Sequence, residues 1–356
     1  MSPLRNDRFL RACRREKTDT TPVWFLRQAG RYMPEYQALR RSHRLLEICR
    51  TPALAAEVTL QPIERLDVDA AILFADILLP LEPLGVGLEF AQGDGPQIER
   101  PVRAAADVDR LRDFDVATDL GYVGESVERI VRELAGRVPL IGFAGAPFTV
   151  ASYVIEGGSA KGFVRTKRFM YEEPEAWARL MSRLARLTLD YLRMQVTAGA
   201  DAVQLFDSWV GNLSPADYRR FVMPHSRAVL EPLAALGVPV IHFGTQTGGI
   251  LGDMRSAGAT VVGIDWRVDL RAAWDSLGQD VAVQGNLDPV TLLAPWASVS
   301  EATREILRSV AGRPGHVFNV GHGILPETPV EVVADVVRLV REESGARRGR
   351  GRAAER

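Results

Sequence analysis

Two arginines four residues apart, Arg27 and Arg31, are the residues of this chain whose type and spacing speak most directly of chemistry. They follow a short apolar run at residues 23–26, with Gly30 between them and Pro34 restricting the turn beyond. A guanidinium keeps its charge at any accessible pH and offers a planar fork of donors that matches a carboxylate. A pair fixed at a strand end suggests a ligand with several carboxylates; the spacing alone is equally open to surface pairing with acidic neighbours. Asp76 sits in Phe74-Ala75-Asp76-Ile77-Leu78-Leu79-Pro80, a carboxylate set among apolar residues. That pattern fits a helix cap, a buried ion-pair partner or a functional anion. His322 lies between Gly321 and Gly323, where little bulk hinders approach, so it can donate to a carboxylate, carry charge, or simply sit in a turn.

The elements that must position these residues are short apolar runs alternating with amphipathic segments. Runs of strand type occupy residues 23–26, 70–74, 140–143, 202–206, 238–243, 260–264, 281–284 and 316–320. Most are continuously apolar, as parallel strands buried on both faces are. Helical periodicity covers residues 53–66, 174–197, 215–236 and 328–343, the first opening on Thr51-Pro52, a cap followed by proline at the first helical position. Eight strands alternating with helices predict one (β/α)8 barrel of the TIM type over residues 1–344, with its active site at the C-terminal strand ends. The polar residues agree with that geometry: Arg27 and Arg31 follow the first run, Asp76 the second, Asp207 and Ser208 the fourth, and His322 the eighth. No G-x-G-x-x-G follows any run, which argues against a doubly wound dinucleotide fold. Glycines at 85, 87, 93 and 95 mark residues 82–122 as an excursion that either covers the site or decorates the barrel. Residues 345–356, rich in Arg, Gly and Ala without an apolar face, are expected to form a disordered basic tail.

Composition narrows the function classes. The 356 residues carry a formal net charge of −1, so no global field points to nucleic acid or an anionic membrane surface. Affinity for anions must be local. Only Cys13 and Cys49 are present, which fits a reducing cytoplasm and supplies neither a disulfide framework nor a metal motif. No apolar run approaches the roughly 18 residues of a membrane span, and the reading is of a soluble, cytoplasmic protein.

Several multi-residue blocks, in order, carry a resemblance. The opening string Pro22-Val-Trp-Phe-Leu-Arg27-Gln28-Ala-Gly30-Arg31-Tyr32-Met-Pro34 is followed by the Asp76 block, Gly142-Phe-Ala-Gly145-Ala-Pro147-Phe148-Thr149, Tyr153-Val-Ile-Glu-Gly157-Gly158, Phe206-Asp207-Ser208-Trp209, and Asn319-Val-Gly321-His322-Gly323-Ile324. Over residues 5–343 the chain closely resembles the uroporphyrinogen decarboxylase family of heme biosynthesis. The resemblance implies removal of the four acetate carboxyl groups of uroporphyrinogen III, giving coproporphyrinogen III and carbon dioxide. It implies Asp76 and Arg27 as catalytic residues, and Arg27, Gln28, Arg31, Asp76, Tyr153, Ser208 and His322 as substrate contacts, with Arg40 a weaker candidate. In the family the aspartate matching Asp76 accepts hydrogen bonds from the pyrrole N–H groups. A homodimer with facing clefts is implied as well, and the segment from Gly145 to Thr149 is either a wall for the macrocycle or a tight turn.

No cofactor and no metal are expected. Decarboxylation leaves electrons where the carboxylate was, and a pyrrole protonated on a ring carbon accepts them itself, so the protein has only to bind, protonate and stabilise positive charge. The chain has no Walker loop and no zinc-ligand cluster. Barrel methyltransferases of the wider superfamily bind zinc through His-x-Cys and a distant Cys; here His242-Phe243-Gly244 lacks the cysteine. A tetrapyrrole carrier that had lost the reaction would lack the anion or the arginines, and all three are present.

Overall fold

The computed structural model describes residues 4–91, 95–311 and 313–354. Seven strands form one curled parallel sheet: β1 (Ala71–Ile72), β4 (Leu140–Gly145), β5 (Ala202–Asp207), β6 (Val240–Gly244), β7 (Val261–Gly263), β8 (Ala282–Gln284) and β9 (His316–Val317), adjacent in that order. Helices connect them, as parallel pairing requires. The helix Pro174–Thr197 shows why these segments fold as they do: proline starts it, Glu175 lies in its first turn, and Trp177, Leu180, Met181, Leu184, Leu187, Tyr191 and Leu192 recur at helical spacing and are buried.

The first expected strand, residues 23–26, departs from the prediction. It makes a single parallel bridge, Val23 to Phe318, and no ladder. Side chains take the backbone donors on either side of Trp24: Val23 N–H donates to Asp69 (2.9 Å), Phe25 N–H to Gln28 (3.1 Å) and Leu26 N–H to Asn319 (2.9 Å), while Trp24 N–H alone donates to a backbone carbonyl, that of Phe318 (3.3 Å). The segment nonetheless runs between the two ends of the sheet. Phe318 N–H donates to the Pro22 carbonyl and Asp69 N–H to that of Val23. Inside the curl, Trp24 donates to Gln284 (3.0 Å) and Gln284 to Gln204 (3.1 Å), all three buried, which ties this segment to β8 and β5.

Three further expectations are refined. The excursion after residue 82 contains an antiparallel hairpin, β2 (Leu88–Ala91) and β3 (Gly95–Ile98), docked on the main body by the bridge from Gln97 to Gly158. The helix expected over 215–236 is broken into Pro215–Asp217, a π-helical turn Tyr218–Val222 and Met223–Ala234. Pro224 has no N–H to continue the α-helical ladder and its ring crowds the carbonyl four residues back, which favours the break at this point. The last helix, expected to end at residue 343, spans Val330–Ala354 and so takes in most of the segment expected as a basic tail. Residues 355 and 356 lie outside the described residues. Among the described residues no helix is long and apolar enough to cross a membrane.

Candidate active site

The C-terminal strand ends surround a cavity of about 470 Å³. Its floor and walls are apolar. Phe206 and Phe243 are register neighbours on β5 and β6, and Phe143 meets Phe206 edge-on, with ring centroids 5.4 Å apart. Phe90, Gly95 and Pro96 of the hairpin add a further wall, so the excursion does cover the site. Into this apolar bowl project Arg27, Arg31, Arg40, Asp76, Tyr153, Ser208 and His322. Three arginines face one aspartate, an excess of positive charge that suits a polyanion.

Asp76 follows β1 and belongs to a turn in which its Oδ1 accepts from Leu78 N–H at 2.8 Å. Its surroundings push its carboxyl up to about 6, because burial outweighs both that hydrogen bond and the attraction of Arg27. By surface it is half-buried, and it lines the cavity. Arg27 stands beside it with its backbone in the left-handed region at φ 62°, uncommon for a non-glycine residue and costing roughly 1–2 kcal/mol. The conformation turns the arginine out of the strand line and into the cavity. Burial and the neighbouring Arg31 weaken its hold on its proton while Asp76 strengthens it, so the guanidinium sits where an added anion is welcome. Its stem lies against Gly323: a Cβ there would meet Arg27 Cγ at 2.8 Å and Nε at 2.9 Å.

His322 is held beside this stem with its ring edge-on to Trp266, centroids 5.8 Å apart. Burial first, then Arg27 and Arg267, lowers its pKa, which keeps the imidazole neutral at neutral pH. Burial and the charge of Asp76 raise the Tyr153 phenol, so it remains a protonated donor. Arg40 reaches the rim from the helix Pro34–Ser42 and donates to the His43 carbonyl at 2.5 Å.

Two expected residues are not in the cavity. Gln28 is fully buried and its side chain is spent on the backbone, Oε1 accepting from Phe25 N–H and Nε2 donating to the Ala70 carbonyl at 3.0 Å. It fixes the loop that carries Arg27. Asp207, expected on the same face as Ser208, points the other way because successive strand residues face opposite sides and Phe206 takes the cavity side. It is buried against Thr149 and His242. His242 is therefore inside the protein, and Cys13 and Cys49 are buried as well; among the described residues no group of three or more metal-ligating side chains occurs. Asp288 caps the turn Pro289–Leu293 and Asn286 donates to the carbonyls of Asp265 and Val268, which leaves both structural. The sequence reading missed the aromatic floor and the hairpin wall. The two-residue alternation of the strands could have found Phe206 and Phe243, but nothing local marks Phe90.

Comparison with known proteins adds family membership to this geometry. Residues 4–343 match the family model described as uroporphyrinogen decarboxylase (URO-D). A protein of Sorangium cellulosum named uroporphyrinogen decarboxylase is 59% identical over 335 residues, covering 94% of this chain and 96% of its own length. One of the same name from Carboxydothermus hydrogenoformans is 55% identical, covering 95% and 97%. Among solved structures, a methyltransferase from Methanosarcina mazei superposes with a TM-score of 0.74 at 20% identity, over 96% of this chain and 99% of its own, a likeness of fold alone. Identity of this order over nearly the whole of both chains, together with the match to the family model, means that the chain belongs to the uroporphyrinogen decarboxylase family.

Proposed function

We propose that the protein decarboxylates uroporphyrinogen III, removing its four acetate carboxyl groups in turn to give coproporphyrinogen III and carbon dioxide. The observation that carries this reading is one carboxylate, Asp76, lining a largely apolar cavity together with three arginines. That arrangement complements a macrocycle with N–H groups at its centre and carboxylates around its edge. The names of the relatives support the same substrate.

In this mechanism the Asp76 carboxylate accepts from the pyrrole N–H groups and the arginines grip side-chain carboxylates. A proton added to a ring carbon leaves the pyrrole cationic, and the anion of Asp76, already in place in a poorly hydrated site, stabilises that charge. The C–C bond electrons then flow into the ring as carbon dioxide leaves. Protonation of the methylene carbon and loss of the ring proton restore the pyrrole, so each acetate becomes a methyl group with one proton consumed. Arg27 positions the reacting acetate and the proton source; a guanidinium is itself too weak an acid for the donor's part. Tyr153, neutral His322 and Ser208 supply donors to the remaining carboxylates, and Gln28 acts through the loop of Arg27.

The same reading takes the sheet as a closed (β/α)8 barrel, the segment at residues 23–26 serving as its eighth strand through its hydrogen bonds to both sheet ends. It also takes the protein as a cytoplasmic homodimer that needs no cofactor. Protein dialysed against a strong chelator should release carbon dioxide from uroporphyrinogen at the undialysed rate. Binding without release would make it a carrier, and activity restored only by metal or an organic cofactor would overturn the mechanism. A second test uses the contact at Gly323. Gly323→Ala is expected to displace the Arg27 side chain, leave the fold intact and lower kcat/KM by on the order of 10- to 100-fold. Wild-type kinetics in that variant would mean that Arg27 acts from no fixed position.

A further inference from the structure

Behind the cavity wall lies a buried polar cluster that the mechanism above does not use. Thr149, in the first turn of the helix Pro147–Glu156, is fully buried, and its Oγ1 makes two contacts at once. It donates to Asp207 Oδ1 at 2.9 Å and accepts from Trp209 N–H at 3.3 Å. These are the residues on either side of Ser208. The Ser208 carbonyl is in turn held by Thr245 Oγ1 at 2.6 Å, and His242 Nε2 stands 3.5 Å from the second oxygen of Asp207, with Asp207 and His242 both fully buried. One helical turn beyond Thr149, on the same face, Tyr153 points into the cavity and packs on Trp209 with ring centroids 5.9 Å apart; Phe163 packs on the same indole at 5.2 Å.

We infer that Thr149 is a positioning residue for the reaction, clamping the Asp207–Trp209 turn so that Ser208 and Tyr153 meet the substrate side chains in one fixed geometry. The inference rests on the reading of Ser208 and Tyr153 as substrate contacts. Its physical basis is that a single hydroxyl joins two chain segments that each contribute a donor to the cavity. Asp207 reinforces it: the carboxyl group is fully buried and its second oxygen has no hydrogen-bond partner among the described residues, so it leans on the Thr149 hydroxyl.

Thr149→Val keeps the shape and removes the hydroxyl, and is expected to lower kcat/KM for uroporphyrinogen by on the order of 10- to 100-fold. Thr149→Ser, which keeps the hydroxyl, should recover activity to within a few-fold. Should the valine variant fail to fold, Thr149→Ala serves instead, because the space it opens admits a water to satisfy Asp207. The deciding readout is a double-mutant cycle with Ser208→Ala. If Thr149 acts through Ser208, its loss costs less in the Ser208→Ala background than in the wild type. Full additivity, equal losses in the serine and valine variants, or wild-type kinetics in the valine variant would each overturn the positioning role. Silence of both Ser208→Ala and Tyr153→Phe would instead bring down the site reading, and the positioning role with it.

Discussion

Asp76→Asn is expected to fold, to be more stable than the wild type at neutral pH and to lose most of its turnover. The sign of the stability change follows from the raised carboxyl pKa, about 6 in the folded protein against an ordinary 3.8. Between those values the native protein holds a proton that the unfolded chain has released, so the stability this group contributes is complete below about pH 4 and is lost as pH rises through 6. At pH 7 the ionised carboxylate is a cost on the order of 1–3 kcal/mol, which the amide removes while still accepting from Leu78 N–H. The excess melting temperature of Asp76→Asn over wild type should therefore grow from pH 5 to pH 7. Turnover should fall on the order of 10²-fold or more, as losses of a preorganised electrostatic group do. Wild-type kcat/KM should also decline on the acid side with an inflection near 6. Near-normal turnover of the asparagine variant would remove Asp76 from the mechanism.

Replacing Arg27 and Arg31 in turn by lysine is expected to separate binding from chemistry. Both variants keep the charge and lose the bidentate fork. Arg31 is exposed at the cavity rim, so Arg31→Lys should raise KM and the dissociation constant of uroporphyrinogen by on the order of 10-fold with kcat nearly unchanged. Arg27 is exposed by surface too, but its stem packs on Gly323 and its backbone is held in a left-handed conformation, so lysine at that position cannot present the same donors to the reacting acetate. Arg27→Lys should therefore depress kcat at saturating substrate by on the order of 10²-fold. Steady-state kinetics with separate equilibrium binding distinguishes the two effects. If both variants bind and turn over normally, the opening motif is structural and the site lies elsewhere.

The cavity residues were legible in the sequence to an uneven degree. Arg27, Arg31, Asp76, Tyr153, Ser208 and His322 could be named because each lies just past an apolar run or inside a multi-residue block. The resemblance adds Gln28 and the strand-end position adds Asp207, but a residue's place in a block or beside a cavity residue does not say which way its side chain turns, and successive strand residues face opposite ways. Gln28 turns back to the Phe25 and Ala70 backbone, and Asp207 turns to Thr149 and His242. The segment at residues 23–26 has the composition of a strand, but its hydrogen-bond partners, Asp69 and Asn319, arrive from about 45 and nearly 300 residues away. No local pattern announces them.

By itself, the sequence determined the alternation of apolar runs and amphipathic helices, since that alternation is a matter of side-chain period, and it determined which residues carry charge at the strand ends. The tertiary structure alone decided which of those charges converge. It decided that Arg27 packs on Gly323, that the hairpin Phe90 closes over the site, and that Asp76 loses enough water to hold its proton to about pH 6. Those outcomes depend on distances between segments far apart in the chain and on the solvent that folding excludes from between them, and neither quantity exists until the sheet has curled.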